Sequence, residues 1–277
     1  MEIVLNASLG IGLLMFLILV SKRGKKREDY FFLSWILVTL LQIAFYNVTI
    51  FHGILKGPIS ILGFGLPLLG APLLFLYILQ LTGKHPNTTT IFAHCSVYCI
   101  YITVLCLFLL TDDVEIIAQN GYLSFSGNTS IWSQFYAIPL ALSGLFYCIW
   151  DLTLLKKHRR TIAAIFSFNE KIHLKWVSCV VYSYLTLFLL ASFLIFGATQ
   201  FRLFPLENAF AFVGITLGGM LIAFGFYGFR QTSIFSSTDS KILQNTDETL
   251  STDKTAYAKS GLTSDKIQIL ATKLSRV

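Results

Sequence analysis

Asp151 is the one acidic residue inside the long apolar stretches of this sequence. It lies in segment 150–160, about one helical turn before the predicted inner end of the fifth apolar stretch. A carboxylate in an apolar setting is costly, and such residues usually mark ion, proton or ligand sites. Asp151 is also near enough to the basic residues that follow it to pair with them or to meet water. A functional and a purely structural role therefore both remain open.

A metal site is the chemistry that His94, Cys95 and Cys99 suggest, because residues four apart share one face of a helix. Structural zinc needs four ligands, and the sequence has no second cluster that could supply the fourth. It also has no His-Glu-x-x-His motif, repeated His box or aspartate-rich motif. We interpret these three as packing side chains, and we predict no metal, no cofactor and no enzymatic activity.

Further polar residues occur within the second apolar stretch, at Gln42 and Asn47. Polar side chains between apolar helices usually hydrogen-bond across the helix interface, and they can also line a ligand cavity. Together with Asp151 and His94, these two are our candidate positions for polar sensing or packing.

Proline and glycine mark two further features. Pro67 and Pro72 interrupt the third stretch and predict a kink, which serves either as a signalling hinge or as a packing device. Gly214 and Gly218 form a small-xxx-small face in the last stretch. Such a face favours close helix contact and dimerisation.

The elements that carry these residues are predicted from composition. Apolar residues make up 55% of the 277 residues and charged residues 13%, with a mean hydropathy of +0.70. Soluble domains have about 25% charged residues, so the surroundings must be lipid. A bilayer needs roughly 20 apolar helical residues per span, and backbone in lipid must be helical. Seven stretches meet this requirement: 3–20, 31–51, 59–81, 90–110, 133–155, 176–196 and 210–229.

The fold class is therefore an all-α membrane protein with seven transmembrane helices. Basic residues orient it: with the N-terminus outside, the inner loops hold 12 Lys and Arg and the outer loops two, Lys56 and Arg202. This predicts an external N-terminus and a cytoplasmic C-terminus. The acidic outer loop 111–132 contains Asp112, Asp113 and Glu115. It is either a lid over an outward-facing pocket or a solvated loop.

The composition changes after the seven-span domain, residues 1–230. Segment 231–259 is polar and is predicted to be a flexible cytoplasmic linker. Segment 260–277 is predicted to begin an amphipathic helix, with Thr263 as its N-cap. So short a helix needs a surface to pack on. It is either the opening of a soluble domain absent from this chain or a membrane-surface helix.

Four segments carry a resemblance to a known family: 70–77, 166–176, 226–231 and 257–263. They resemble the third helix, the entry to the sixth, the exit from the seventh and the juncture before the DNA-binding domain. The family is the Bacteroidetes-type membrane regulators, in which a seven-helix region precedes an AraC-type helix-turn-helix domain. This sequence ends at Val277, where the family continues into two helix-turn-helix units, so we expect it to be truncated before the DNA-binding domain.

The resemblance implies a signal-sensing module in a bacterial inner membrane. Its partners would be the bilayer, a small-molecule or membrane signal, DNA through the absent domain only, and a second copy in a homodimer. The alternative is a seven-helix receptor or small transporter without DNA output. The sequence lacks the Asp-Arg-Tyr-like and Asn-Pro-x-x-Tyr-like motifs of G-protein-coupled receptors. It also lacks the inverted repeats or polar midplane site expected of a transporter.

Overall fold

The computed structural model describes residues 1–110, 114–126, 136–165 and 174–230. Segments 231–259 and 260–277, Asp112, Asp113 and most of segment 166–176 lie outside these ranges, so the predictions made for them stay predictions. The described helices are α1 (Glu2–Ser21), α2 (Arg27–Asn47), α3 (Pro58–Gly65), α4 (Pro67–Leu81), α5 (Thr88–Phe108), α6 (Ile138–Ile165), α7 (Lys175–Gln200) and α8 (Leu206–Arg230). A π-helical turn, Val48–His52, extends α2.

Seven helical segments of the described residues are long and apolar enough to cross a membrane, as predicted. The third of them joins α3 and α4 into Pro58–Leu81. Pro67 has no N–H to donate to the helical ladder, so α3 ends at Gly65 and α4 begins at Pro67, a position that tolerates proline well. Pro72 lies inside α4.

The fifth segment differs from the predicted span 133–155. Helix α6 begins at Ile138 and continues to Ile165, through the basic residues at 156–160. Asp151 therefore lies 14 residues, about 21 Å, from the end of its helix rather than one turn from it. The side chain is placed near the middle of the candidate span Ile138–Ile162.

Helices α2 and α4 form the centre of the bundle. Of an apolar 18-residue window in the spans Arg27–His52 and Pro58–Leu81, 67% and 72% are buried, against 11% for Thr88–Phe108. Large apolar side chains such as Phe92 of α5 and Phe193 of α7 are exposed. Soluble proteins rarely expose apolar surface on this scale, so these outer faces are suited to lipid contact.

A small sheet departs from the all-α prediction. Strands β1 (Leu55–Lys56), β2 (Ile116–Gln119) and β3 (Tyr122–Phe125) are antiparallel in the order β1-β2-β3. The turn between β2 and β3 is Asn120-Gly121, and both residues have positive φ, which two-residue hairpin turns favour. We call the end of the bundle that carries this hairpin the hairpin end. The end that carries the α1–α2 connection is the basic end.

Candidate functional site: the buried polar side chains of the bundle

Asp151 lies on the buried face of α6, which also carries the buried residues Cys148 and Leu155. Its side chain is 1% exposed, and its Oδ1 has no hydrogen-bond partner among the described residues. A buried polar atom without a partner costs about 1–3 kcal/mol. The fold thus keeps a polar oxygen in its interior at a cost to stability.

His94 lies in a cluster of aromatic rings that joins three helices. Its Nδ1 is 2.8 Å from the Tyr147 hydroxyl, which connects α5 to α6. The ring centroids of Phe75 and Trp150 lie 5.0 Å and 5.5 Å from that of His94. Tyr147 precedes Asp151 by four residues, so the two share one face of α6. The structure therefore places His94 and Asp151 on either side of a single tyrosine.

Gln42 and Asn47 are also buried, but on α2 and in different contacts. The Asn47 side-chain amide donates a hydrogen bond of 2.9 Å to Asn6 Oδ1 of α1. The Gln42 amide makes a longer contact of 3.4 Å to the Tyr46 hydroxyl in the same helix. Asn47 thus links two helices at the hairpin end, whereas Gln42 is paired within α2.

Buried tyrosines are the part of the interior that sequence reasoning missed. Each of the five lies on a different helix of the bundle: Tyr46, Tyr77, Tyr101, Tyr147 and Tyr184. The Tyr184 hydroxyl lies 3.5 Å from the position that a Cβ on Gly70 would occupy, so the Tyr184 side chain reaches from α7 to α4. Their position in the sequence was the available signal. Aromatic residues of membrane helices concentrate at the ends of spans, so a tyrosine in mid-span is unusual. Tyr147 and Tyr184 stand in the middle of their apolar stretches.

Gly214 and Gly218 lie where α8 packs on α1. A Cβ on Gly214 would lie 3.1 Å from Leu5 Cδ2, and one on Gly218 would collide with the Ser8 side chain. Gly219, by contrast, has no atom within 4 Å of its Cβ position. The Gly214–Gly218 face is therefore occupied by α1 of the same chain.

The hairpin covers the end of the bundle. The Asn120 N–H donates to the Thr49 carbonyl at 2.8 Å, and the Tyr122 ring stacks on Phe210 with centroids 6.1 Å apart. The hydroxyl of Tyr101 donates to the carbonyl of Tyr136 at 3.1 Å, which ties α5 to the start of α6. The described part of segment 111–132, residues 114–126, is thus a packed cap.

Tyr136 lies just before the fifth candidate span and packs under this cap, with its ring centroid 5.3 Å from that of Phe125. Burial raises the pKa of Tyr136, and a hydrogen bond with the Leu123 backbone opposes part of the increase. The hydroxyl therefore stays protonated and bonded to the hairpin at neutral pH.

The described residues contain no group of three or more His, Cys, Asp and Glu side chains placed to hold a metal ion. Cys95 is half-buried beside His94, and Cys99 is exposed. Asp151 is accompanied on its face of α6 by Tyr147 and Cys148. The chemistry available at the site is therefore proton exchange, hydrogen bonding or the binding of a small polar ligand.

Comparison with family models, characterised proteins and solved structures finds no match.

Proposed function

We propose that this chain is a multi-pass membrane sensor in which a stimulus changes helix packing around Asp151. The observation that carries the proposal is the Asp151 carboxyl, buried and with an oxygen that lacks a hydrogen-bond partner among the described residues. Ionisable groups kept within membrane segments despite their cost usually have a function.

The proposed mechanism follows from the position of Asp151 within α6, which packs against α4 and α7. A proton, cation or polar ligand that satisfies Oδ1 would stabilise the arrangement of these helices in which it binds best. A ligand shifts a two-state equilibrium only by its difference in affinity for the two states. The Tyr147–His94 hydrogen bond would carry a movement of α6 to α5.

The proposed output is a cytoplasmic AraC-type helix-turn-helix domain outside this chain. Its support is the resemblance of segments 70–77 and 257–263 to the Bacteroidetes-type membrane regulators. The same resemblance supports a bacterial inner membrane, and the excess of basic residues in the predicted inner loops supports a C-terminus in the cytoplasm. Under this proposal DNA is bound only through that domain, as a homodimer.

The test is a chromosomal Asp151→Asn substitution in the organism that carries the gene, compared with wild type and a gene deletion. We expect Asp151→Asn to change the same set of transcripts that the deletion changes, at unaltered protein level. Glu2→Gln is the matched control, because Glu2 is an exposed carboxylate and should leave transcripts unchanged.

Three results would contradict the proposal. A deletion that changes no transcript would remove the regulatory output. Transcripts unchanged in Asp151→Asn but altered in the deletion strain would remove Asp151 from the sensing step. A solute whose uptake depends on Asp151, with transcripts unaffected, would identify a transporter instead.

A further inference from the structure

The connection between α1 and α2 is strongly basic and is held by side-chain contacts. Five basic side chains and two acidic ones occur within eight residues: Lys22, Arg23, Lys25, Lys26, Arg27, Glu28 and Asp29. The Lys22 ammonium lies 2.7 Å from Asp29 Oδ1, and Asp29 Oδ2 accepts the Lys26 N–H at 2.9 Å. The Lys25 ammonium donates to the Val20 carbonyl at the end of α1. These contacts fix Lys22 at the edge of the bundle.

A shallow, open hollow of about 450 Å³ lies beside this connection, on the outer face of α1 alone. It is lined by Leu17, Ile18, Ser21 and Lys22. Leu17 is 52% exposed and Ile18 is 44% exposed, so the apolar wall is not covered by the bundle. The lining is apolar towards the middle of α1 and polar at its end, where a span would meet water.

We propose that this hollow binds the headgroup and upper acyl chain of an anionic phospholipid. The acyl chain would lie along Leu17 and Ile18, and the phosphate would accept hydrogen bonds from the Lys22 ammonium and the Ser21 hydroxyl. An ammonium has three donors, so Lys22 serves a phosphate while it stays paired with Asp29. The surplus of basic over acidic residues in the connection selects an anionic headgroup over a zwitterionic one.

The occupant is a lipid rather than a free anion because the hollow combines two kinds of surface. A free phosphate would leave Leu17 and Ile18 exposed, whereas a phospholipid covers them and pairs its charge with Lys22. This site is separate from the Asp151 site: it lies at the basic end of α1, on the outside of the bundle.

The test measures binding of phosphatidylglycerol to the purified full chain in detergent by native mass spectrometry. We expect Lys22→Gln to weaken binding about fivefold, the share expected of one basic residue near an anionic headgroup, and Lys22→Arg to retain it. Lys156→Gln is the control, because Lys156 is an exposed basic residue of α6 outside the hollow, and it should leave binding unchanged.

A second variant tests the apolar wall without changing charge. Leu17→Trp fills the hollow and should abolish phosphatidylglycerol binding, whereas Leu107→Trp on the exposed face of α5 should not alter it. The proposal is overturned if phosphatidylcholine binds as tightly as phosphatidylglycerol, or if Leu17→Trp binds normally. Competition by millimolar inorganic phosphate in wild type and Leu17→Trp alike would also overturn it, since the site would then bind a free anion.

Discussion

At Asp151 a single side chain lowers stability and supplies the proposed sensing group. A buried oxygen without a partner costs the bundle free energy, and that cost is recovered by whatever satisfies the oxygen. Sites that carry strain or unsatisfied groups are common where a protein must respond to a ligand. The same atom is therefore expected to lower stability and to provide a means of switching.

Removing this carboxyl should stabilise the protein while it silences the response. We expect Asp151→Ala to raise the free energy of unfolding by about 1 kcal/mol, since an unpaired polar group is lost and only a small volume is vacated. That corresponds to a midpoint about 2–4 °C higher. The measurement is thermal unfolding of the purified chain in detergent, followed by circular dichroism.

Thr153→Ala is the matched control for this experiment. Thr153 is exposed on the same helix, and alanine improves helix propensity by a similar amount at both positions. A gain confined to Asp151→Ala therefore reports the buried carboxyl. A lower midpoint for Asp151→Ala would show that the carboxyl is a stabilising partner in the core.

Each candidate polar residue could be predicted from the sequence, but which of them lie close together in space could not. Asp151 and His94 stand out because polar side chains are rare in apolar stretches. Tyr147, which contacts His94, is marked in the sequence only by its mid-span position, and its partner becomes visible only where α5 meets α6. Which helices are neighbours depends on side-chain packing in three dimensions, and hydropathy carries no record of it.

At the scale of elements, the β2–β3 hairpin has a clear signal in the sequence that hydropathy alone does not reveal. Asn120-Gly121 lies between two four-residue segments rich in apolar residues, and Asn-Gly is the strongest short-range hairpin signal. The all-α prediction omits this sheet, because strands of four residues are much shorter than the apolar runs that mark membrane spans. The pairing of β1 with β2 has no comparable signal, because it joins residues about 60 apart.

Gly121 should be the most sensitive position of the hairpin. Its φ is +86°, and an added Cβ would lie 2.5 Å from Phe210 Cβ. We expect Gly121→Ala to combine backbone strain of about 1–2 kcal/mol with displacement of the hairpin from α8. Limited proteolysis of the purified chain should then cleave within 114–126 faster than in wild type.

Gly24→Ala separates the two effects. Gly24 also has a positive φ, of +69°, but no atom lies within 4 Å of its Cβ position. It should carry the backbone strain alone and leave cleavage in the hairpin at the wild-type rate. Equal cleavage in both variants would show that Gly121 does not hold the hairpin on Phe210.

The contact of α8 with α1 depends on the absence of a side chain at Gly218. Gly218→Ala should destabilise the bundle, because its methyl group collides with Ser8, whereas Gly219→Ala should be neutral or stabilising by up to about 1 kcal/mol. Ser8→Gly added to Gly218→Ala should restore part of the loss, a coupling of about 1 kcal/mol or more. Additive effects in thermal unfolding would refute direct contact between the two residues.

For the whole molecule, the count of helical segments could be predicted and their ends could not. Seven apolar runs of bilayer length are visible in the sequence because lipid demands them. Helix α6, however, continues through Lys156 and Arg160 to Ile165, since hydrogen bonding along a helix does not stop where apolar residues do. Long basic side chains can extend towards water while their backbone stays helical.

Orientation is the last property that the charge distribution predicts for the whole chain. The predicted inner loops hold 12 basic residues and the outer loops two, so the N-terminus and the hairpin end should lie outside. Alkaline phosphatase fused after Ser126 should be active, because the enzyme folds only outside the cytoplasm. Fused after Gly83 it should be inactive, and green fluorescent protein fused after Val277 should fluoresce.

The same fusions can also contradict the predicted orientation, because they report on both ends of the bundle. Activity after Gly83 together with inactivity after Ser126 would invert the bundle and place the Lys22 hollow in the outer leaflet. Removing both outer basic residues, Lys56 and Arg202, should leave the pattern unchanged, because it strengthens the existing bias. A pattern that reverses in this variant would contradict the rule that the excess of Lys and Arg keeps a loop on the inner side.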